Sequence, residues 1–407
     1  MKRLRALLCG AATAALATAG LSAFVAGQAS GAPAAAAALG NRWYAAAPYL
    51  MPLDNNPPNA GAIMDATGLK AFQLAFVLAP NGGGCSPTWG GTAPVSSDTA
   101  VGSVVAAIRA KGGDVSVSVG GYGGTKLGQT CSDAASTAAA YQQVVTKYQL
   151  KAIDFDLEEP EYENSTAIAH EIGAAKILQQ NNPGLYVSVT TAGTADGTGW
   201  FGKQMLGEAK AQGFVPNNFS IMPFDGGFNG AAAQTSALTN FNSILQSTFG
   251  WSAATAYAHE GFSGMNGRSD TGEYFRQADF QTVLDYATGH GMDRFTFWSL
   301  NRDRQCSPPD NNGTTSGTCS SVAQADWDFA KYAVRFAGAT PPTDPPTTPP
   351  TTPPGSCSVA AWSSAAIYTS GNEVSHKGHK WKAKWWTQNE EPGTTGEWGV
   401  WLDEGAC

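Results

Sequence analysis

Residues 151–158 read Lys-Ala-Ile-Asp-Phe-Asp-Leu-Glu. Asp154, Asp156 and Glu158 alternate with Ile153, Phe155 and Leu157, the period of an extended strand. The three acids therefore share one face and the three apolar residues the other. In a closed barrel the apolar face packs on surrounding helices and the acidic column points inward. Like charge and desolvation push at least one of these carboxyls to keep its proton near neutral pH. A retained proton beside an ionised neighbour is what a general acid requires. Glu158 is last in the column and longest, so it is the candidate to reach a substrate oxygen. Two other readings of the run remain: a solvated acidic edge strand, and a divalent-metal site completed from other strands. Glu159, Glu161 and Glu163 read as loop charges on the solvent side, because Pro160 ends the strand.

Outward from this strand the chain alternates short apolar runs with amphipathic or Ala-rich ones. Strands are predicted at Trp43–Tyr49, Ala71–Ala79, Asp114–Gly120, Ala152–Glu158, Leu185–Thr191, Phe219–Asp225, Ala253–His259 and Arg294–Leu300. Helices are predicted at Thr99–Ala110, Ala134–Tyr148, Thr166–Gln180, Ala232–Thr248 and Gln277–His290. Eight strands with intervening helices over about 300 residues predict an α/β fold, a (β/α)8 TIM barrel spanning 41–338. A doubly wound open sheet is the rival; it lacks a GxGxxG after the first strand. In a barrel, catalytic groups stand at the C-terminal strand ends.

Composition narrows the ligand. The 407 residues carry 24 Lys+Arg against 32 Asp+Glu, a net charge of −8, and only 14% are charged. An acidic chain with few basic clusters argues against nucleic acid and anionic membranes as partners. Low charge with 12 Trp, 12 Tyr and 48 Gly suits an exported protein meeting a flat, neutral ligand such as a sugar.

Residues 1–32 read as a secretory signal peptide: Lys2, Arg3 and Arg5 precede the apolar Leu7–Val25, and small residues follow at 29–32. The competing reading is a retained membrane helix. The mature chain is expected to be extracellular, monomeric and free of membrane. Beyond Cys9 there are six cysteines, which allow 15 pairings; their clustering favours Cys85–Cys131, Cys306–Cys319 and Cys357–Cys407. A zinc site is the competing reading, with no CxxC or His-x-x-x-His to support it. No metal or other cofactor is expected, and the five His read as structural or exposed.

Residues 340–355, Thr-Pro-Pro-Thr-Asp-Pro-Pro-Thr-Thr-Pro-Pro-Thr-Thr-Pro-Pro-Gly, form a Pro/Thr-rich linker favouring extended polyproline II. It sets off a small module, 356–407, dense in Trp and too short to bury so many indoles without a covalent staple. Gly turns at Ser370-Gly371 and Lys377-Gly378 predict short antiparallel strands. Adjacent Trp385 and Trp386 are expected on opposite faces of one strand. The exposed one, with Trp362 or Tyr368, would stack on pyranose rings.

Asp154-x-Asp156-x-Glu158 closing a fourth barrel strand resembles family 18 glycoside hydrolases, whose signature is Asp-Gly-x-Asp-x-Asp-x-Glu. Ser118-Val-Gly-Gly121 on the third strand matches the family's Ser-x-Gly-Gly, and Phe297-Trp-Ser-Leu-Asn-Arg-Asp303 its eighth-strand end. The resemblance covers about Arg42 to Phe336. It implies hydrolysis of chitin and chitooligosaccharides with retention, assisted by the substrate. Glu158 would protonate the glycosidic oxygen and the acetamido carbonyl would attack the anomeric carbon. Asp156 would hold the acetamido N–H, and Asp154 would share its proton. Trp298 would floor the sugar site, with Tyr49, Met222, Phe224 and Asp225 also on the substrate. Non-proline cis peptides are implied at Ala75–Phe76 and Trp298–Ser299. Two departures stand out. Lys151-Ala152 replaces Asp-Gly, outside the inward column by parity. Met222-Pro-Phe-Asp225 replaces Met-x-Tyr-Asp, so the hydroxyl that holds the acetamido oxygen is missing. Members sharing the early Ala47-Pro-Tyr49 and the Cys85-x-x-x-Trp89-Gly-Gly91 also lack that Tyr. The tail, with Ala383-Lys-Trp-Trp-Thr-Gln388, Glu391-Pro-Gly393 and Trp398-Gly-Val-Trp401, looks like chitin- and cellulose-binding modules of families 5 and 12. Two further functions compete: a catalytically silent chitin-binding protein of the same fold, and an endo-β-N-acetylglucosaminidase on N-glycans.

Overall fold

The computed structural model describes residues 39–341, 359–394 and 399–406. The expected signal peptide, residues 342–355 of the linker, Trp398 and the Cys357–Cys407 pairing lie outside the described residues.

Eight parallel strands form the centre: β1 (Tyr49–Leu50), β2 (Ala71–Leu78), β3 (Asp114–Gly120), β4 (Ala152–Leu157), β5 (Tyr186–Ala192), β6 (Asn218–Met222), β7 (Glu260–Met265) and β8 (Arg294–Trp298). Each pairs with the next in sequence. The ring closes because the Leu300 N–H donates to Tyr49 O at 2.9 Å, and the Thr296 hydroxyl to Ala47 O at 2.6 Å. The helices are α1 (Ala60–Thr67), α2 (Ala100–Ala110), α3 (Ala134–Tyr148), α4 (Ser165–Asn181), α5 (Trp200–Ala211), α6 (Gly230–Phe249), α7 (Gln277–His290) and α8 (Ala330–Phe336). Their apolar faces cover the outward strand residues, such as Ile153, Phe155 and Leu157, all 0% exposed. Local chemistry fixes the helix starts. Asp133 caps α3, accepting the Ser136 N–H at 2.7 Å, and Asn164 caps α4, accepting from Thr166 and Ala167.

Two strands are displaced from their predicted positions. Residues 41–45 are a short helix, and the first strand is only Tyr49–Leu50. The Ala run favours helix, and Pro48 has no N–H to give a ladder. Residues 253–257 are likewise helical, started by Ser252 accepting the Thr255 N–H at 3.1 Å. The seventh strand is Glu-Gly-Phe-Ser-Gly-Met, where Gly261 and Gly264 mask the alternation. Its inward residues are Gly261, Ser263 and Met265.

Both Ala75–Phe76 and Trp298–Ser299 are cis. Disulfides join Cys85 to Cys131 and Cys306 to Cys319. Among the described residues no helix is long and apolar enough to cross a membrane.

The C-terminal unit is all-β: β9 (Ile367–Tyr368), β10 (Glu373–His376), β11 (His379–Ala383), β12 (Thr387–Gln388) and β13 (Trp401–Ala406). β9 pairs with β12, and β10, β11 and β13 form an antiparallel sheet. Lys377 (φ 51°) and Gly378 (φ 81°) turn β10 into β11, as the two-residue hairpin requires. Val374, Ala383, Val400 and Trp401 are its core, with Trp362, Tyr368 and Trp381 packed against them. Trp385 and Trp386 fall between β11 and β12, and both are exposed, by 52% and 60%. The expectation that one is core fails because they sit in a bend, where strand alternation does not apply.

Candidate active site

The inward column of β4 sits where register puts polar partners beside it. Ser118 on β3 and Ser188 on β5 both pair with Asp154, and parallel neighbours in register point the same way. Asp154 is fully buried and surrounded by donors. Its Oδ1 accepts from Ser188 (2.6 Å), Thr190 (2.9 Å) and Arg294 Nη1 (2.5 Å). Its Oδ2 lies near Ser118 (2.8 Å), Gln73 Nε2 (3.0 Å) and the Tyr49 hydroxyl (3.0 Å). Burial works against the charge, but Arg294 and these hydroxyls outweigh it and hold the Asp154 pKa below the usual carboxylate range. Its lone pairs are committed to protein donors, which leaves none for the metal reading of the run. Among the described residues no three His, Cys, Asp or Glu side chains form a metal-binding group.

Asp156, one step along the column, is also buried but has no cation partner. Burial first, then the charges of Glu158 and Asp154, push its pKa well above the ordinary value. The Tyr49 hydroxyl also lies 3.1 Å from Asp156 Oδ2. The phenol is thus within donating distance of both carboxyl groups. Burial and both acid charges keep Tyr49 itself neutral. The two acids are thus linked through Tyr49. Asp156 Oδ1 is buried without a partner.

Glu158 ends the column at the cavity. Burial and the Glu159 and Asp225 charges raise its pKa, Lys126 lowers it, and the balance puts it at about 7. Lys126 is buried and donates to Tyr122 O (3.0 Å) and Gly124 O (3.3 Å). The Ser-x-Gly-Gly run has a steric reason. Gly120 stands at φ 99°, and a Cβ there would strike the Asp156 carbonyl oxygen. The Gly121 N–H donates to that same oxygen at 2.8 Å.

Glu161 corrects the sequence reading. It is 0% exposed, because the turn after Pro160 folds back, with the Tyr162 N–H donating to Glu158 O at 3.0 Å. Burial and neighbouring Glu171 push its pKa well up. Glu171 on α4 accepts from the Gly128 N–H (2.6 Å) and the Tyr141 hydroxyl (2.8 Å). Glu159 and Glu163 do reach the surface.

A cavity of about 440 Å³ opens over Asp156 and Glu158. Tyr49, Met222, Phe224, Asp225 and Trp298 all line it. Trp298 stacks on Phe76 with centroids 5.5 Å apart and planes 10° off parallel, and meets Tyr49 edge-on at 5.7 Å. Asp225 lies past the end of β6 at φ 55°, and its Oδ1 accepts the Thr271 N–H at 2.9 Å. The hairpin that carries Thr271 is pinned by Glu273, which accepts from Gly227 N (2.7 Å), Phe228 N (3.2 Å) and the Ser269 and Thr271 hydroxyls. Those bonds lower the Glu273 pKa to about 2.

Sequence reasoning missed Gln73, Lys126, Thr190, Ser263, Asp270, Thr271 and Arg294. Arg294 had one legible signal: it shares strand parity with Trp298, so it points into the barrel. The rest are ordinary polar residues given meaning by neighbours distant in sequence.

Residues 361–402 match the model of carbohydrate-binding module family 5/12. The probable bifunctional chitinase/lysozyme of Escherichia coli (strain K12) is 29% identical over 276 residues, covering 63% of this chain and 30% of that protein. Endochitinase 11 of Metarhizium anisopliae is 28% identical over 276 residues, covering 63% and 52%. The chain therefore spans between 30% and 52% of the length of these relatives. The catalytic domain of a hyperthermophilic chitinase from Pyrococcus furiosus shares the fold, with a TM-score of 0.64 at 24% identity over 72% of this chain and 94% of that one. Residues 361–402 thus match a family 5/12 carbohydrate-binding module, and the barrel before them, which carries the Asp-x-Asp-x-Glu column, has the fold of the Pyrococcus furiosus chitinase catalytic domain.

Proposed function

We propose that the chain is a secreted, monomeric, retaining chitinase that cleaves β-1,4 bonds between N-acetylglucosamine units of chitin and chitooligosaccharides. The observation that carries this reading is the inward acidic column of β4: Asp154 held by Arg294 at the barrel centre, Asp156 beyond it with a free buried oxygen, and Glu158, its pKa raised to about 7, lining the cavity. Glu158 gives its proton to the glycosidic oxygen as the C1–O bond breaks. The acetamido carbonyl oxygen of the sugar on Trp298 attacks C1 from the opposite face, forming an oxazolinium ion. Asp156 accepts the acetamido N–H on its unpartnered Oδ1 and spreads the positive charge. Ionised Glu158 then takes a proton from water, whose oxygen attacks C1 and reopens the ring with retention. The cavity walls, mostly aromatic and apolar, suit a neutral pyranose and its methyl group. The module brings Trp385 and Trp386, both exposed, as stacking platforms for the polymer.

The test is the anomer first released from chitooligosaccharides, read by NMR, with inhibition by a thiazoline analogue of the oxazolinium. The β-anomer and tight inhibition are expected. An α-anomer overturns the mechanism.

A further inference from the structure

Two residues lining the cavity carry buried oxygens without a hydrogen-bond partner: Asp156 Oδ1 and Ser263 Oγ. Ser263 stands inward on β7, 1% exposed, in the wall that also holds Met222, Phe224 and Trp298. The hydroxyls around it are used. Thr296, its register partner on β8, donates to Ala47 O at 2.6 Å. Ser220 donates to Asn218 Oδ1 at 2.8 Å, and Thr190 to Asp154 Oδ1 at 2.9 Å. A buried hydroxyl left unpaired is costly, and one that faces a cavity is satisfied by what enters the cavity.

An acetamido group has one donor, its N–H, and one acceptor, its carbonyl oxygen. The cavity offers the complement: a carboxyl oxygen on β4 and a hydroxyl on β7. The side chain at the end of β6, Phe224, has no polar atom to offer. We infer that Ser263 is a substrate-positioning residue, whose hydroxyl donates to the acetamido carbonyl oxygen of the bound N-acetylhexosamine. This rests on the acetamido-assisted reading above. The bond strengthens the hold on the oxygen as it is aimed at C1, so its value is greatest on the way to the oxazolinium.

The experiment is Ser263→Ala on soluble chitooligosaccharides, with thiazoline inhibition and thermal unfolding measured alongside. The expected result is a loss of roughly ten- to a hundredfold in kcat/KM, carried mainly by kcat, the equivalent of one buried hydrogen bond. Thiazoline carries sulfur in place of that oxygen, so its affinity is expected to change by much less than turnover, while the melting temperature holds or rises, since no bond within the protein is lost. Turnover within twofold of wild type, or a loss carried by KM with kcat unchanged, overturns the role of Ser263 alone. A melting temperature lowered in step with activity assigns Ser263 a structural role and overturns it too. Wild type that cleaves chitin without any inhibition by thiazoline brings down the acetamido mechanism and this inference with it.

Discussion

Arg294 Nη1 meets Asp154 Oδ1 at 2.5 Å in the barrel centre, with both side chains fully enclosed. The pair comes from β8 and β4, on opposite sides of the ring. It holds the Asp154 pKa below the usual carboxylate range, whereas burial first, then the Glu158 and Asp154 charges, push that of Asp156 up. Removing the cation by Arg294→Met leaves Asp154 buried without a counter-ion. A loss of about 3–5 kcal/mol in unfolding free energy is expected, read from urea titrations. A loss under 1 kcal/mol would show that the hydroxyl ring alone suffices.

Glu158→Gln keeps the shape of the side chain and removes the transferable proton. Turnover is expected to fall by roughly 10²–10⁴, the usual worth of general acid catalysis, with binding to chitin retained. Near-full turnover would remove Glu158 from the acid role.

The pH profile follows from the same group. Glu158 must be protonated to act, and burial raises its pKa to about 7. Activity should therefore decline as pH rises through about 7. Lys126 opposes that shift, so Lys126→Gln should move the alkaline limb of kcat/KM to higher pH. Loss of the Asp225 charge by Asp225→Asn should move it lower. Limbs that stay put in both variants would show that another group controls the decline.

The module predicts a split between substrates. Double substitution Trp385→Ala with Trp386→Ala removes the exposed stacking surface without touching the Val374–Trp401 core. Activity on crystalline chitin should drop, because tethering no longer raises the local enzyme concentration. Activity on soluble oligosaccharides should stay within about twofold, as the substituted residues lie outside the barrel cavity. An equal drop on both would contradict separate roles for module and barrel.

The sequence by itself determined the alternation of β4, the succession of eight strands with five of the helices between them, and the hairpin turn at Lys377-Gly378. These are local properties: side-chain period, backbone restriction and turn chemistry act within a few residues of chain. It also put Glu158 at the end of its strand, and the resemblance to family 18 glycoside hydrolases pointed to Tyr49, Met222, Phe224, Asp225 and Trp298, which line the cavity. Tertiary structure alone decided which acid is charged. Arg294 and Gln73 reach Asp154 from 140 and 81 residues away, and only closure of the ring brings them there. It turned Glu161 inward against Glu171, and left Trp385 and Trp386 both exposed in a bend where strand parity has no force. It also left Ser263 unpaired at the cavity wall, because whether a hydroxyl is satisfied depends on every neighbour around it, most of them far away in the chain.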